Sequence, residues 1–190
     1  MKNKKGLIIA LAVIAVIAIL AGSVVSSYNN LVDERETVTN AQANIQTMLQ
    51  RRADLIPNLV NTVKGYAAHE EEVYTAIADA RSKLSGATTV DEMEKANSEL
   101  DSAISRLLVV VENYPELKAD TQFINLQDEL AGSENRISVA RKDYNDVAKA
   151  YNTHIKKFPA NIIASMFNFE QAEYFEASSE AQTAPSVNFN

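Results

Sequence analysis

No charged residue interrupts the positions from Leu7 to Val25, LIIALAVIAVIAILAGSVV, whereas polar and apolar positions alternate with helical spacing through most of the remaining chain. As one helix that run spans roughly 28 Å, close to the hydrocarbon thickness of a bilayer. Beyond it, Leu31, Val38, Ile45, Leu59, Tyr66, Val73 and Ala80 recur in seven-residue register, and Leu49, Ile56, Val63, Ile77 and Leu84 form a second row four residues on. Rows so offset make one apolar seam. They predict a helix from Tyr28 to Leu84, kinked at Pro57, whose ring removes a hydrogen bond and crowds the preceding turn.

Ser85-Gly86-Ala87-Thr88 reads as the first loop, with Gly86 available as a cap, and Thr89-Val90-Asp91-Glu92 has the spacing of a capping box. A second helix then carries Met93, Ala96, Leu100, Ile104, Leu107, Leu108 and Val111 on one side. It stops or kinks near Asn113-Tyr114-Pro115, because a residue before proline is driven from the helical region. The third helix has the most regular row, Phe123, Leu130, Ile137, Tyr144, Tyr151 and Phe158, with Leu126, Ala140 and Val147 beside it. Gly132 is either a tolerated weak point or a break, and Pro159 ends the segment. Asn161 to Phe175 is rich in Ile, Met, Phe and Tyr and reads as a short final helix or an apolar strap folded back. The stretch 176–190 has little to bury and reads as a disordered tail.

The fold class predicted is all-α: an antiparallel up-and-down bundle of three to four long helices with an N-terminal transmembrane helix. Five glycines and four prolines are few breakers for 190 residues, which favours long helices. The expected organisation is a cytoplasmic segment 1–6, an anchor 7–25, a helical domain 27–175 and the tail 176–190.

Lys2, Lys4 and Lys5 precede the anchor, while Arg35 is the only early cation after it, among Asp33, Glu34 and Glu36. The positive-inside bias then places the domain on the extracytoplasmic side of a single-pass cell-membrane protein. A cleaved secretory signal would share the lysines, the apolar run and Ala21-Gly22-Ser23, but its apolar core is usually shorter and a polar break precedes its cleavage site. Leu20-Ala21-Gly22-Ser23 has the form of a lipoprotein box, yet Ser23 stands where the lipidated cysteine must be.

Charge and cysteine content narrow the function classes. Of 18 Lys and Arg, three precede the anchor, so the rest of the chain opposes 25 Asp and Glu and carries −10. Such a domain repels phosphate, so no nucleic-acid partner is expected. With no cysteine, disulfides, thiolate metal sites and cysteine nucleophiles are excluded. The two histidines, His69 and His154, have Tyr66 and Tyr151 three residues before them, which fails the Glu-x-x-His rule of di-iron bundles. Val73 occupies the place of the second zincin histidine after His69-Glu70-Glu71-Glu72. The reading is therefore non-enzymatic, with no cofactor and no metal.

Polar residues at apolar register are the remaining anomaly. Arg52 shares the row of Ile45 and Leu59, which points a guanidinium inward. A structural polar network is expected from Arg51, Arg52, Asp54, Glu112, Glu134, Asn135, Arg136 and Arg141, fixing register as buried polar groups do elsewhere. Glu112 is the expected partner of Arg52, Glu134 the reserve if Gly132 breaks its helix, and Asp54 a local competitor. Tyr144-Asn145 and Tyr151-Asn152 repeat one pair a heptad apart, echoing Tyr28-Asn29. The sharper alternative is a ligand pocket around Arg51 and Arg52.

RRADLIPNLV at 51–60, KGYAAHE at 64–70, ENYPELKA at 112–119, SENRISVARKDYN at 133–145 and YNTHIKKFP at 151–159, after an anchor followed by Tyr28-Asn29-x-Leu31-Val32, resemble the LemA family. The resemblance covers roughly residues 1–175. It implies a bacterial single-pass membrane protein with a helical-bundle domain and a cell-envelope role, with relatives that serve in organelle-like membrane formation. It implies no catalytic or binding residues, and it implies an orientation with the amino terminus outside, the reverse of the lysine rule. The function expected is a scaffold or adaptor for envelope protein partners, joined to the lipid bilayer through residues 7–25. The alternative is a ligand-responsive sensor or regulator using Arg51, Arg52 and Glu112.

Overall fold

The first seam and the apolar run belong to one helix. In the computed structural model, which describes the backbone of residues 2–176 and the side chains of 6–176, α1 (Lys2–Lys64) runs unbroken through both, with Pro57 inside it. Met1 of the expected 1–6 segment and residues 177–190 of the expected tail lie outside the described residues. Gly6 opens the one span among the described residues that is long and apolar enough to cross a membrane.

The expected helix from Tyr28 to Leu84 is corrected here: it is two helices. α1 ends at Lys64, where Gly65 lowers helix propensity, and α2 (Glu71–Gly86) begins after a turn. The turn is held by the Ala67 N–H, which donates to Val63 O at 2.9 Å, and by the Tyr74 hydroxyl, which donates to Ala67 O at 2.6 Å. Glu71 and Glu72 lie in the first turn of α2, where carboxylates complement the helix dipole. Tyr66 and Val73, counted in the seam, are not buried; Ala67 and Tyr74 are.

α3 (Val90–Val111) starts at the complete Thr89–Glu92 capping box. α4 (Pro115–Lys118) is a single turn with proline at its start. α5 (Thr121–His154) passes Gly132 without a break and ends four residues before Phe158. Phe158 is therefore not in the α5 row, and it is exposed; Pro159 disfavours helical backbone at the residue before it. α6 (Ala160–Met166) is the short final helix, and an extended strap follows it, so both forms foreseen for 161–175 occur in succession. Asn168 at φ 54° turns the chain between them. The Phe169 N–H donates to Ala164 O at 3.0 Å, closing a Schellman motif in which Asn tolerates the left-handed position. No strand occurs among the described residues.

These elements form two units, and α1 and α5 contribute to both. The first takes residues to Asn40 and Asp146–Ala172. Its core holds Leu31 and Val38 of α1, Tyr151 of α5 and Ile163 of α6. The second takes Ala41–Asn145 and the chain from Glu173. Here four helical segments alternate in direction. Arg81 Nε donates to Ala53 O (2.9 Å), setting α2 against α1, and Tyr66 OH reaches Asp120 (3.1 Å) while Arg52 reaches Glu134 (2.7 Å), setting α5 against α1. α3 runs parallel to α1, since Gln42 meets Thr88 and Arg52 meets Asn97. Ile45, Leu49, Ile56, Leu59, Leu100, Leu107 and Ile137 are among the side chains between them. Each such residue contributes about 1.5–3 kcal/mol against about 1 kcal/mol for a neutral hydrogen bond, so the seams hold the unit and the polar groups select its register.

Candidate functional site

Arg52 projects from α1 into the second unit because its heptad row does. Its Nη1 donates to Asn97 Oδ1 and to Glu134 Oε2, both at 2.7 Å, and its Nη2 pairs with Asp101. Asn97 Nδ2 donates to Asp101 Oδ2 at 3.0 Å, a helical i,i+4 bond that aims the carboxylate. The guanidinium side chain is 6% exposed, whereas Asp101 and Glu134 keep 44% and 41%. The cation is thus buried while both anions stay partly hydrated, which limits desolvation largely to one ion. Nε of Arg52 has no acceptor among the described residues. One cation facing two carboxylates and an amide ties α1, α3 and α5 together through its two Nη groups.

The other expected members are spread around the unit. Glu112, the expected partner, sits at the C-terminal cap of α3 and is exposed; that pairing is corrected to Asp101 and Glu134. Glu134 reaches Arg52 from an unbroken α5, so the pairing requires no break at Gly132. Arg51 is exposed and lines a groove of about 620 Å³ with Thr47, Gln50, Asp54, Ser85 and Thr88. Asp54 accepts from Gln50 Nε2 at 2.8 Å and lies 4.0 Å from Arg81. Asn135 and Arg136 are exposed beside Val139 and Asp143. Arg141 lies over the Phe175 ring at 5.4 Å. Asn97 and Asp101 were missed in the sequence, although Val90, Asn97, Ile104 and Val111 make a heptad row with one polar member, the same signal that singles out Arg52.

The repeated Tyr-Asn pair has a separate task, holding the strap to α5. In the second unit Asn145 Nδ2 donates to Phe175 O at 2.8 Å, and the Phe175 N–H donates back to Asn145 Oδ1 at 3.0 Å. Tyr144 OH donates to Glu173 O at 2.9 Å. In the first unit Asn152 holds Ala172 in the same two-way fashion, both bonds 2.8 Å, and Tyr151 OH donates to Glu170 O at 2.9 Å. Each asparagine amide satisfies both main-chain groups of one strap residue, as a neighbouring strand would. Burial pushes both phenols up, with Glu173 adding to the effect at Tyr144. At Tyr151 the Arg35 cation opposes the rise.

The sequence profile of the LemA family matches residues 41–189. The magnetosome protein MamQ 2 of Paramagnetospirillum magneticum strain AMB-1 is 28% identical over 200 residues, covering 90% of this chain and 74% of its own length. The magnetosome protein MamQ of Magnetospirillum gryphiswaldense is 25% identical over 195 residues, 89% of this chain and 71% of its own. Protein LemA of Metamycoplasma hominis is 29% identical over 152 residues, 79% of this chain and 69% of its own.

Proposed function

Because the chain belongs to the LemA family, we propose that it is a membrane-anchored, non-catalytic scaffold or adaptor of the bacterial cell envelope. The observation that carries this reading is α1, one helix from the apolar run into the residues that build both units. Such a helix transmits position without a linker, which suits a protein that holds partners at a set place on a membrane. The buried polar groups support the same reading, since Arg52 is engaged by Asn97, Asp101 and Glu134. Lys2, Lys4 and Lys5 favour the extracytoplasmic side for the domain.

The test is crosslinking of the full chain in its own membranes, followed by purification under denaturing conditions. Recovery of defined protein partners in fixed stoichiometry is expected; recovery of the chain alone would count against the scaffold. The rival sensor reading loses Glu112 as a member and would have to rest on the Arg51 groove. It requires a small molecule that raises Tm through binding linkage and fails to do so for Arg51→Ala.

A further inference from the structure

Residues 158–169, FPANIIASMFNF, contain no charge in a chain in which 23% of residues are charged. Part of this is explained by burial: Ala160, Ile163, Ala164 and Phe169 face inward. The rest is not. Phe158 is 81% exposed and Met166 68%, and Ile162 and Phe167 are also exposed. Four large apolar side chains in and beside α6 are thus left outside the core, among Asn161, Ser165 and Asn168, uncharged polar residues, an arrangement that marks a contact surface.

Its place in the first unit identifies what covers that surface. Tyr28 stands three residues past Val25, where the apolar run ends, a rise of about 4–5 Å. Its ring meets Phe167 edge-on at 4.8 Å and Phe169 at 5.7 Å. The uncharged segment therefore lies at the level where α1 leaves its apolar stretch. Lys156 and Lys157, both exposed, adjoin it directly, and aromatic rings with nearby lysines are the composition of a bilayer–water boundary.

We propose that Phe158, Ile162, Met166 and Phe167 enter the headgroup boundary of a phospholipid bilayer, with Lys156 and Lys157 against anionic headgroups. The surface is that of the leaflet from which α1 emerges. This rests on the reading of residues 7–25 as a membrane span. The apolar face seats the first unit beside its own anchor, so the protein holds the membrane at two places.

The chain contains no tryptophan, so one introduced residue reports alone. The full chain carrying Phe158→Trp, Met166→Trp, Ile14→Trp or Asn40→Trp would be reconstituted in phosphatidylcholine vesicles with and without phosphatidylglycerol. Quenching by lipids spin-labelled at shallow and deep acyl positions is then compared. Ile14→Trp is expected to be quenched by the deep label, and Phe158→Trp and Met166→Trp by the shallow one, at a depth of about 5–10 Å. Asn40→Trp, exposed and fifteen residues beyond Val25, should be quenched by neither. Shallow quenching should strengthen with phosphatidylglycerol, and Lys156→Gln with Lys157→Gln should remove that increment. If Ile14→Trp is quenched while the probes at 158 and 166 behave as Asn40→Trp does, the proposal is overturned and the anchor stands. If Ile14→Trp is also unquenched, the anchor reading fails and takes the proposal with it. A shift of emission from the probes at 158 and 166 that follows protein density, without lipid quenching, assigns the face to a second copy and overturns the proposal.

Discussion

Arg52 shows how much one residue's register can disclose and where that knowledge stops. Its inward direction was legible because Ile45 and Leu59 flank it at heptad steps; its partners were not. Pairing with Glu112 assumed that the helix after Ser85 returns antiparallel along α1. Because α2 already makes that return, α3 runs parallel instead, and from the Gln42–Thr88 contact ten residues of α1 bring Arg52 to Asn97 and Asp101. Removing one member of a buried pair costs about 3–5 kcal/mol. With both carboxylates partly hydrated, Arg52→Ala should fall near the lower end, about 3 kcal/mol, read by urea unfolding of the detergent-solubilised chain. Lys83→Ala breaks an exposed pair with Glu99 and should cost under about 1 kcal/mol. Glu112→Gln should leave the unfolding curve in place, whereas Glu134→Gln should shift it. An Arg52→Ala protein as stable as the parent would mean the guanidinium is not held inside.

Among the elements, α3 is the one whose limits are plainest in the sequence, through Thr89, Glu92 and Pro115. α2 was hidden because Tyr66 and Val73 happen to continue the seam across the turn, although the acidic run Glu70-Glu71-Glu72 is itself a helix-start signal. Main-chain N–H groups of Thr88 and Thr89 hold the Glu92 carboxyl down from 4.5 to about 2. A depressed carboxyl pKa contributes stability above its unfolded value, lost as pH falls through the folded one. Protection of the first-turn amides of α3, taken relative to their intrinsic exchange rates, should therefore fall between about pH 4.5 and 2. Glu92→Gln should flatten that response, and Thr89→Ala should cost about 1 kcal/mol. The strap attachment depends on pH in the opposite sense. Tyr144 and Tyr151 have raised pKa values, so their bonds persist below about pH 10 and weaken only as pH rises through the folded values. Asn145→Ala should cost about 1–3 kcal/mol by leaving both main-chain groups of Phe175 unpaired. Its mark would be faster hydrogen exchange at Phe175, with the second unit's core amides unchanged. The Tyr-Asn repeat was visible as a repeat; that its acceptors are main-chain groups of the strap was not, since a side chain that reads backbone leaves no trace in the strap's own sequence.

For the whole molecule, the helical class and the apolar run were plain from spacing, and the division of the chain into two units was not, because both long helices cross it without a change in pattern. The side of the membrane is open to direct test. Protease added to intact cells or spheroplasts should digest the domain while sparing an internal control; digestion only after lysis would reverse the orientation drawn from Lys2, Lys4 and Lys5. The run LIIALAVIAVIAILAGSVV is aliphatic or small on every side of the helix. In a bilayer such a rod fixes height but not lean: nothing in it prefers one tilt, and a protein held by it alone rocks against the membrane plane. An off-axis foothold is what would restrain that rocking, so that whatever docks on the first unit meets it at a set angle to the surface.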